Sequence, residues 1–335
     1  MIRFRVSVIF IILIAIVSTL FGCVRQQEDV IVSPASTPDA PQDEPESQTP
    51  RQKLVFLFFS DTQANPETGD YSDVAEMFCR AVDRAVDLAV DRAADEEEKP
   101  ELVLFGGDTV NDGGDDLEWS DFWREVGTAF DGLTTAAVAG NHDNNALLTE
   151  QFDYPQKQPE DYGMGFFYSL YVDPVFFIML DSNKMGAANQ TDIEWLQNEL
   201  QSETAQGAAW RVAVMHHPMW PPVDIPKDLQ RAETMREHFL PLLEFYGVDL
   251  ILCGHQHIYS RTAPMSGETE SGDDHGIVQV VVASGGKDSY IAGERDFIAA
   301  GKAAATYLLL AAYSDNLILA AYDENDEMID YLELR

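Results

Sequence analysis

Two histidines separated by one residue, His255 and His257, follow the apolar run "LILC" at residues 250–253. Alternate side chains of an extended strand point to the same face, whereas on a helix they would diverge. If this segment is extended, its two imidazoles can bind a metal ion together. A short His-x-His sequence at a strand end is more often a solvated turn or a hydrogen-bonded structural pair, so the other segments must decide.

Further apolar runs lead directly into polar side chains that can bind metals. These side chains are Asp61 with Gln63, Asp108, Asn141 followed by His142 and Asp143, and His216. Carboxylate and amide oxygens and imidazole nitrogens are all ligands for divalent cations. One such residue could stand at a strand end by chance, but five segments that end in this way indicate a common site.

The elements that carry these residues follow a regular pattern. Between Leu54 and Arg335, apolar runs rich in β-branched residues alternate with helical patterns, of which residues 72–93 are the clearest example. This alternation predicts an α/β architecture. In an α/β sheet the loops at the carboxyl ends of the strands converge on one crevice, where ligands usually bind. We therefore expect the polar strand ends to face the same crevice.

The five segments occur in the order of the motifs of the calcineurin-like metallophosphoesterases, and about residues 54–335 resemble that superfamily. Residues 166–218 are similar to the branch that contains purple acid phosphatases and cyclic-nucleotide phosphodiesterases. The resemblance implies two mixed β-sheets that pack face to face and are flanked by helices, a four-layer α/β sandwich. It also implies hydrolysis of phosphate mono- or diesters by two divalent metal ions and a hydroxide generated at them.

The resemblance implies seven metal ligands, namely Asp61, Gln63, Asp108, Asn141, His216, His255 and His257. Asp108 would bridge both ions. One ion would also bind Asp61, Gln63 and His257, and the other would bind Asn141, His216 and His255.

Two further residues would act on the substrate. The resemblance implies that His142 protonates the leaving oxygen or stabilises charge on the phosphoryl group, and that Asp143 orients its imidazole. Two divalent cations outweigh the charge of two aspartates, so the pocket would remain locally cationic. An anionic phosphoester could therefore approach it.

Gln63 departs from the family pattern, which usually has histidine at this position. An amide oxygen is a harder and weaker ligand than an imidazole, so this ion should be held less tightly and should favour Mn²⁺ or Mg²⁺ over Zn²⁺. Asn111 stands where purple acid phosphatases have an iron-binding tyrosine, which argues against a purple ferric centre. The pattern leaves open whether the ions are Mn, Fe, Zn or Mg.

The remaining histidines receive weaker interpretations. His217 could lie beside the ligands or could be solvated. His238 belongs to a helical pattern and is expected on the helix surface, and His275 lies in an acidic loop without an assigned role.

The N-terminus predicts a secretory signal that ends at a lipid-attachment site. Arg3 and Arg5 precede an apolar run at residues 6–21, shorter than the ~20 residues that a membrane-spanning helix usually needs. The following "LFGC" resembles a bacterial lipobox, which implies removal of residues 1–22 and lipidation of Cys23. An uncleaved membrane anchor is the alternative.

Residues 23–53 are rich in Pro, Ser, Gln and acids and predict a mobile tether. Residues 54–335 then form the catalytic domain, held outside the cytoplasm at the periplasmic or cell-surface side of the envelope.

The chain has 21 Lys and Arg against 58 Asp and Glu, a net charge of −37. Such a surface repels nucleic-acid backbones, so duplex binding is not expected. The expected partners are a small phosphoester substrate and the membrane, through the N-terminal lipid. The alternative to an envelope phosphoesterase is a lipid-anchored phosphate-ligand binding protein with a degenerate, weakly active metal site.

Overall fold

The computed structural model describes residues 53–89, 100–154, 167–272, 276–287, 289–293 and 295–335. The predicted signal at residues 1–22, the lipidation site Cys23, the tether up to residue 52 and His275 lie outside the described residues. None of the helices in the described ranges has the length and apolar character of a bilayer-spanning segment.

The strands, in chain order, are β1 (Lys53–Phe59), β2 (Leu102–Phe105), β3 (Thr134–Ala137), β4 (Tyr168–Val172), β5 (Val175–Leu180), β6 (Trp210–Met215), β7 (Leu250–Cys253), β8 (Tyr259–Thr262), β9 (Met265–Ser266), β10 (Thr269–Glu270), β11 (Val278–Val281), β12 (Ile298–Lys302), β13 (Thr306–Tyr313), β14 (Leu317–Asp323) and β15 (Met328–Leu334). The α-helices are α1 (Ser72–Ala89), α2 (Asp116–Val126), α3 (Asn145–Gln151), α4 (Ser182–Met185), α5 (Gln190–Leu200), α6 (Glu203–Gly207), α7 (Pro226–His238) and α8 (Leu240–Phe245). Gly127–Phe130 forms a 3₁₀ turn after α2.

Two mixed β-sheets form the centre of the fold. The six-stranded sheet has the order β15-β14-β13-β1-β2-β3, in which β1, β2 and β3 are parallel and the other neighbours are antiparallel. The seven-stranded sheet has the order β12-β8-β11-β7-β6-β5-β4, in which β5, β6, β7 and β11 are parallel. Strands β9 and β10 pair only with each other as named strands of the described chain.

Strand β1 shows why the sheets pack face to face, because it is apolar on both sides. Phe56 and Phe58 point into the core between the two sheets, and Leu57 and Phe59 point into the core beneath the helices. Phe56 meets Phe177 of β5 edge to face, with ring centroids 5.2 Å apart. A strand that is buried on both faces has a continuous apolar sequence, and "KLVFLFF" has this pattern after its first residue.

Helices cover the outer face of each sheet. In α1 the buried residues Val74, Phe78, Ala81 and Ala85 recur every three or four positions and pack with Phe122 of α2 on the six-stranded sheet. Helices α5 to α8 cover the seven-stranded sheet in the same way. The layers are therefore helices, sheet, sheet and helices, and the predicted four-layer architecture is confirmed.

The parallel strands of both sheets end at the places where the polar residues stand. Asp61, Asp108 and Asn141 follow β1, β2 and β3, while His216 and His255 follow β6 and β7. Since carboxyl ends of neighbouring parallel strands lie at one edge of a sheet, each sheet presents its polar residues together.

Candidate metal centre

The loops that follow the strands of the two sheets approach one another closely. A Cβ atom at Gly254, after β7, would lie 1.9 Å from Ser60 Oγ and 2.2 Å from Asp61 Oδ2. A Cβ atom at Gly140, after β3, would lie 2.2 Å from Asp108 Oδ1. Both positions require glycine, because a side chain would push apart the loops that carry the polar residues.

Asp61 follows β1, and donors from both sheets hold its carboxylate. Its φ of 50° is a left-handed conformation that aspartate tolerates better than most residues. Oδ2 accepts hydrogen bonds from the Ser60 hydroxyl at 2.8 Å and from the His255 amide at 2.7 Å. Oδ1 is buried 3.3 Å from Nε2 of His257 and has no hydrogen-bond partner among the described residues.

Asp108 follows β2 with a φ of 51° and lies between two of the predicted imidazoles. Its Oδ1 accepts a hydrogen bond from the His142 amide at 2.7 Å, and its Oδ2 lies 3.3 Å from Nε2 of His216. Burial raises the pKa of this carboxyl, but His216 and the His142 amide outweigh burial and hold the pKa below its usual range. Asp108 is therefore ionised and can attract a cation.

His216 follows β6 and is fully buried. Its Nδ1 donates a hydrogen bond to the carbonyl of Gly106 at 2.8 Å, and its Nε2 faces Asp108. Burial lowers the pKa of His216, but Asp108 and Asp61 more than offset burial and raise the pKa to about 10. A buried imidazole with this pKa marks a place where the neighbouring carboxylates require positive charge.

Two groups of side chains can each offer ligand atoms to one metal ion, since the atoms within each group lie within 4.8 Å of one another. The first group is Asp61, Asp108 and His216, and the second is His216, His217 and His255. The structure thus brings together four of the seven predicted ligands, with His257 beside Asp61, and adds His217 to them.

His217 is 2% exposed, which excludes the solvated role that the sequence left open. Its Nδ1 lies 2.9 Å from Oγ of Ser182. Burial and the neighbouring His216 and His255 lower its pKa, so this imidazole is neutral. His238, by contrast, lies at the end of α7 with 40% of its side chain exposed, on the helix surface as expected.

Gln63 is fully buried, and neither Oε1 nor Nε2 has a hydrogen-bond partner within the part of the chain that the structure describes. An unpaired buried polar group destabilises a fold by about 1–3 kcal/mol, so native proteins rarely leave one. A cation bound to Oε1 would satisfy this acceptor. The buried and unpaired Oδ1 of Asp61 fits a cation for the same reason.

The loop after β3 carries Asn141 and His142, and both side chains are exposed. Nδ1 of His142 donates a hydrogen bond to the carbonyl of Asn111 at 2.7 Å, and Nε2 lies 3.9 Å from Oδ2 of Asp108. The imidazole is therefore oriented by a backbone carbonyl, and its second nitrogen is directed towards the carboxylate.

The sequence predicts that Asp143 orients the His142 imidazole, but the structure gives it other partners. Its Oδ2 accepts hydrogen bonds from the amides of Asp108 and Gly140, each at 2.8 Å, and its Oδ1 is unpaired among the described residues. Asp143 therefore holds the loops after β2 and β3 together and does not orient the His142 imidazole. Burial and Asp108 raise its pKa to about 6.

His255 contacts a carboxylate that the sequence did not reveal. Its φ is 69°, and its Nε2 lies 3.1 Å from Oδ1 of Asp228, the third residue of α7. Asp228 is 3% exposed, and its Oδ2 accepts a hydrogen bond from Nε2 of Gln256 at 3.0 Å. In the sequence, Asp228 is an ordinary acid in the first turn of a helix, where the helix dipole favours carboxylates. No local signal would have indicated the contact.

His257 is held by Tyr290, a second residue that the sequence did not reveal. The two rings stack with centroids 5.2 Å apart and planes 9° apart, and the Tyr290 amide donates to the His257 carbonyl at 2.8 Å. Burial raises the pKa of Tyr290, and Asp61, Asp228 and Asp108 add to the effect. Tyr290 lies in a loop outside the strands, so reasoning from strand ends could not find it.

A two-sheet sandwich with carboxylates and imidazoles at converging strand ends is the arrangement of a metal-dependent phosphoesterase. Residues 54–259 match the model of the family described as calcineurin-like phosphoesterase, and the chain belongs to this family. Membership supports a hydrolase that uses divalent metal ions and acts on a small phosphoester, and the ligand groups described above are candidates for binding those ions.

Purple acid phosphatases are among the similar sequences. A purple acid phosphatase of Glycine max is 25% identical over 183 residues, which cover 50% of this chain and 39% of that protein. Purple acid phosphatase 23 of Arabidopsis thaliana is 27% identical over 180 residues, which cover 49% of this chain and 37% of that protein. The matched part of the chain thus spans about two fifths of the length of these relatives.

Solved structures show the same fold. The purple acid phosphatase PPD1 from yellow lupin (Lupinus luteus) seeds superposes with a TM-score of 0.69 at 17% identity, over 84% of this chain and 54% of that one. GAP50, described as the anchor in the inner membrane complex of Plasmodium, superposes with a TM-score of 0.59 at 17% identity, over 84% of this chain and 89% of that one. At these identities the likeness establishes the fold.

Proposed function

We propose that this protein hydrolyses phosphate mono- or diesters at a centre of two divalent metal ions. The observation that carries the proposal is a set of buried polar atoms without hydrogen-bond partners among the described residues at the converging strand ends. They include Asp61 Oδ1, Oε1 and Nε2 of Gln63, and His216 Nε2. Cations at this place would satisfy the acceptors and would replace the proton that His216 otherwise holds.

We assign the ligands of the two ions as the family pattern suggests. Asp108 would be shared by both ions, with Asp61, Gln63 and His257 holding one ion and Asn141, His216 and His255 holding the other. The 3.3 Å separations from Asp61 to His257 and from Asp108 to His216 support metal binding by carboxylates and imidazoles together, because each pairs the two kinds of ligand across the two sheets. Bound ions supply positive charge for phosphate oxygens and lower the pKa of water.

His142 is suited to exchange a proton with the substrate. Its Nδ1 donates a hydrogen bond to the Asn111 carbonyl at 2.7 Å, so Nε2 is the nitrogen that can donate to a leaving oxygen. Its side chain is 40% exposed, which a residue that meets a substrate requires. Asp143 contributes indirectly, because its hydrogen bonds to the amides of Asp108 and Gly140 hold together the loops that carry Asp108 and His142.

A metal count with a hydrolysis assay tests the proposal. The full chain is treated with a chelator, reloaded with Mn²⁺, and assayed on nitrophenyl phosphate and bis-nitrophenyl phosphate. We expect two metal ions per chain, and loss and recovery of hydrolysis with chelation and reloading. Binding of phosphate without hydrolysis would favour the anchored binding protein instead, and hydrolysis that survives metal removal would contradict the proposal.

We also propose that the protein is exported and lipidated at Cys23, after removal of residues 1–22, and that residues 23–53 tether the domain at residues 54–335. The basic residues, the short apolar run and "LFGC" support this location. Cys23→Ser should leave the precursor unprocessed or release the protein from the membrane fraction. A variant that is processed and remains membrane-bound like the parent would contradict the proposed anchor.

A further inference from the structure

Asp228 is a buried carboxylate to which the strand-end motifs assign no role. We propose that Asp228 is a positioning residue, which holds the imidazole of His255 through Nε2 and so leaves Nδ1 of His255 for a metal ion. The inference rests on the metal centre proposed above. It adds a residue of helix α7 to a site whose proposed ligands all follow strands.

The two oxygens of Asp228 contact two successive residues of the ligand loop. Oδ1 lies 3.1 Å from Nε2 of His255, and Oδ2 accepts a hydrogen bond from Nε2 of Gln256 at 3.0 Å. Among the described residues, Nε2 of His255 has no well-aligned hydrogen bond, so its contact with Oδ1 is an electrostatic contact at hydrogen-bonding distance. A single carboxylate thus fixes the loop at the residue that ligates and at the residue after it.

Gln256 makes the attachment rigid. It is fully buried, its Oε1 accepts from the Val223 amide at 2.8 Å, and its Nε2 also donates to the Val223 carbonyl at 3.2 Å. The chain that leads into α7 and the ligand loop are therefore joined by several hydrogen bonds. Asp228 is placed relative to His255 by this network and by its position in the helix.

A carboxylate 3.1 Å from Nε2 favours one tautomer of His255. An ionised carboxylate can only accept, so the nitrogen that faces it carries the proton and the other nitrogen keeps its lone pair. His216 shows the opposite arrangement, because the Gly106 carbonyl accepts from Nδ1 and leaves Nε2 towards Asp108. The two imidazoles proposed for one ion are thus held through different nitrogens, one by a carbonyl and the other by a carboxylate.

Asp192 provides a matched control. It is the third residue of α5, as Asp228 is the third residue of α7, and each is 3% exposed. Asp192 accepts a hydrogen bond from Nδ2 of Asn189 at 3.3 Å. Replacement of either aspartate by asparagine removes a buried helix-turn carboxylate, but only Asp228 lies against a proposed ligand.

The first experiment measures the affinity of the full chain for Mn²⁺. Free Mn²⁺ is quantified by its electron paramagnetic resonance signal. Loss of a carboxylate that orients a ligating histidine typically lowers metal affinity by about 10- to 100-fold. We expect this loss at one of two Mn²⁺ positions in Asp228→Asn, and no change in Asp192→Asn. Asp228→Glu, which retains the carboxylate, should recover most of the affinity.

Other results of that titration overturn the inference. Equal affinities in Asp228→Asn and Asp192→Asn would mean that the contact does not position His255. Complete loss of one ion even in millimolar Mn²⁺ would make Asp228 itself a ligand. A parent protein that binds no Mn²⁺ would remove the proposed function, and this inference with it, before any variant is compared.

The second experiment reads the tautomer directly and does not depend on activity. The full chain is labelled with ¹⁵N-histidine, freed of metal, and examined by correlation spectra of the imidazole nitrogens, with His255→Gln used to assign the signals. We expect His255 to carry its proton on Nε2 in the parent and in Asp192→Asn, and to become a tautomer mixture in Asp228→Asn. A proton on Nδ1 of His255 in the parent would overturn the inference.

Discussion

The two sheets contribute different chemistry to the crevice between their strand ends. The loops of the six-stranded sheet carry the predicted oxygen ligands, which form the oxygen half of the site: Asp61, Gln63, Asp108 and Asn141. The loops of the seven-stranded sheet carry the predicted imidazole ligands, which form the nitrogen half: His216, His255 and His257. The oxygen half carries the negative charge of two carboxylates, and that charge raises the pKa of His216 in the nitrogen half. Each proposed ion draws ligands from both halves, so metal binding would join the sheets at this end.

The halves also differ in how their side chains are held. Asp61 and Asp108 each accept a hydrogen bond from a backbone amide of another loop, from His255 and His142 respectively, and each keeps an oxygen directed at an imidazole. His216 is held by the carbonyl of Gly106 through one nitrogen. Backbone amides of neighbouring loops thus hold both carboxylates. The imidazoles are held in different ways, because His255 faces the Asp228 carboxylate and His257 stacks on the ring of Tyr290.

The largest effect is expected from Asp108→Asn, which removes charge from the oxygen half where it faces His216. A neutral amide cannot bridge two cations as a carboxylate does, and loss of several kcal/mol of charge stabilisation corresponds to roughly 10⁴-fold or more in kcat. Hydrolysis of nitrophenyl phosphate with saturating Mn²⁺ measures it. Activity within a few-fold of the parent would show that Asp108 is not the bridge.

His142→Ala should cause the next largest loss of hydrolysis rate and should leave the metal content unchanged. Loss of a general acid typically lowers the rate by about 10²- to 10⁴-fold, and the loss should be smaller for a nitrophenyl ester, whose leaving group hardly needs a proton. Rates on an alkyl and an aryl phosphoester, with metal content measured in parallel, separate the cases. An equal fall on both esters would assign His142 to charge stabilisation, and loss of metal would make it a ligand.

Because the carboxylates of the oxygen half raise the pKa of His216, the stability of the metal-free protein should depend on pH. The pKa of His216 is raised from 6.5 to about 10 in the folded state, so the folded protein binds this proton more tightly than the unfolded chain. The resulting stability is fully present below pH 6.5 and is lost as the pH rises through about 10. Urea unfolding at pH 6.5 and 9.5 should show this decline, up to a few kcal/mol.

His216→Asn supplies the control for that measurement, because an amide does not titrate in this range. Its stability should change less between the same two pH values than that of the parent. An equal decline in both proteins would assign the pH effect to other groups.

The smallest effect is expected from Gln63→His, which introduces a nitrogen donor into the oxygen half. Imidazole suits Zn²⁺ better than an amide oxygen does, so Zn²⁺ affinity should rise by about tenfold or less relative to Mn²⁺, with modest changes in rate. Competition titrations with the two metals measure the shift. An unchanged preference would show that Gln63 does not bind the ion.

The sequence predicted the residues whose place follows from strand geometry. Apolar runs that end in Asp61, Asp108 and His216 are local signals, and parallel strands bring their carboxyl ends together wherever the helices pack. Asp228 and Tyr290 were missed because a helix turn and a loop come to the site only through tertiary packing. The role expected for Asp143 failed for a related reason. Backbone amides and carbonyls, such as those of Gly140 and Asn111, are present at every residue, so the sequence cannot show which of them a side chain will meet.

Asp61, Asp108 and His255 all have positive φ, at 50°, 51° and 69°. This conformation costs most residues that carry a Cβ about 1–3 kcal/mol each, although aspartate, asparagine and histidine tolerate it better than others, and glycine adopts it most readily. If these residues bind the proposed ions, metal binding requires them to keep this conformation. In a lineage that did not use the proposed metal centre, glycine at these three positions would relieve the strain. Loss of the proposed centre would therefore leave a recognisable record in descendant sequences, with glycine at positions 61, 108 and 255 and with Gly140 and Gly254 still required by the close loops.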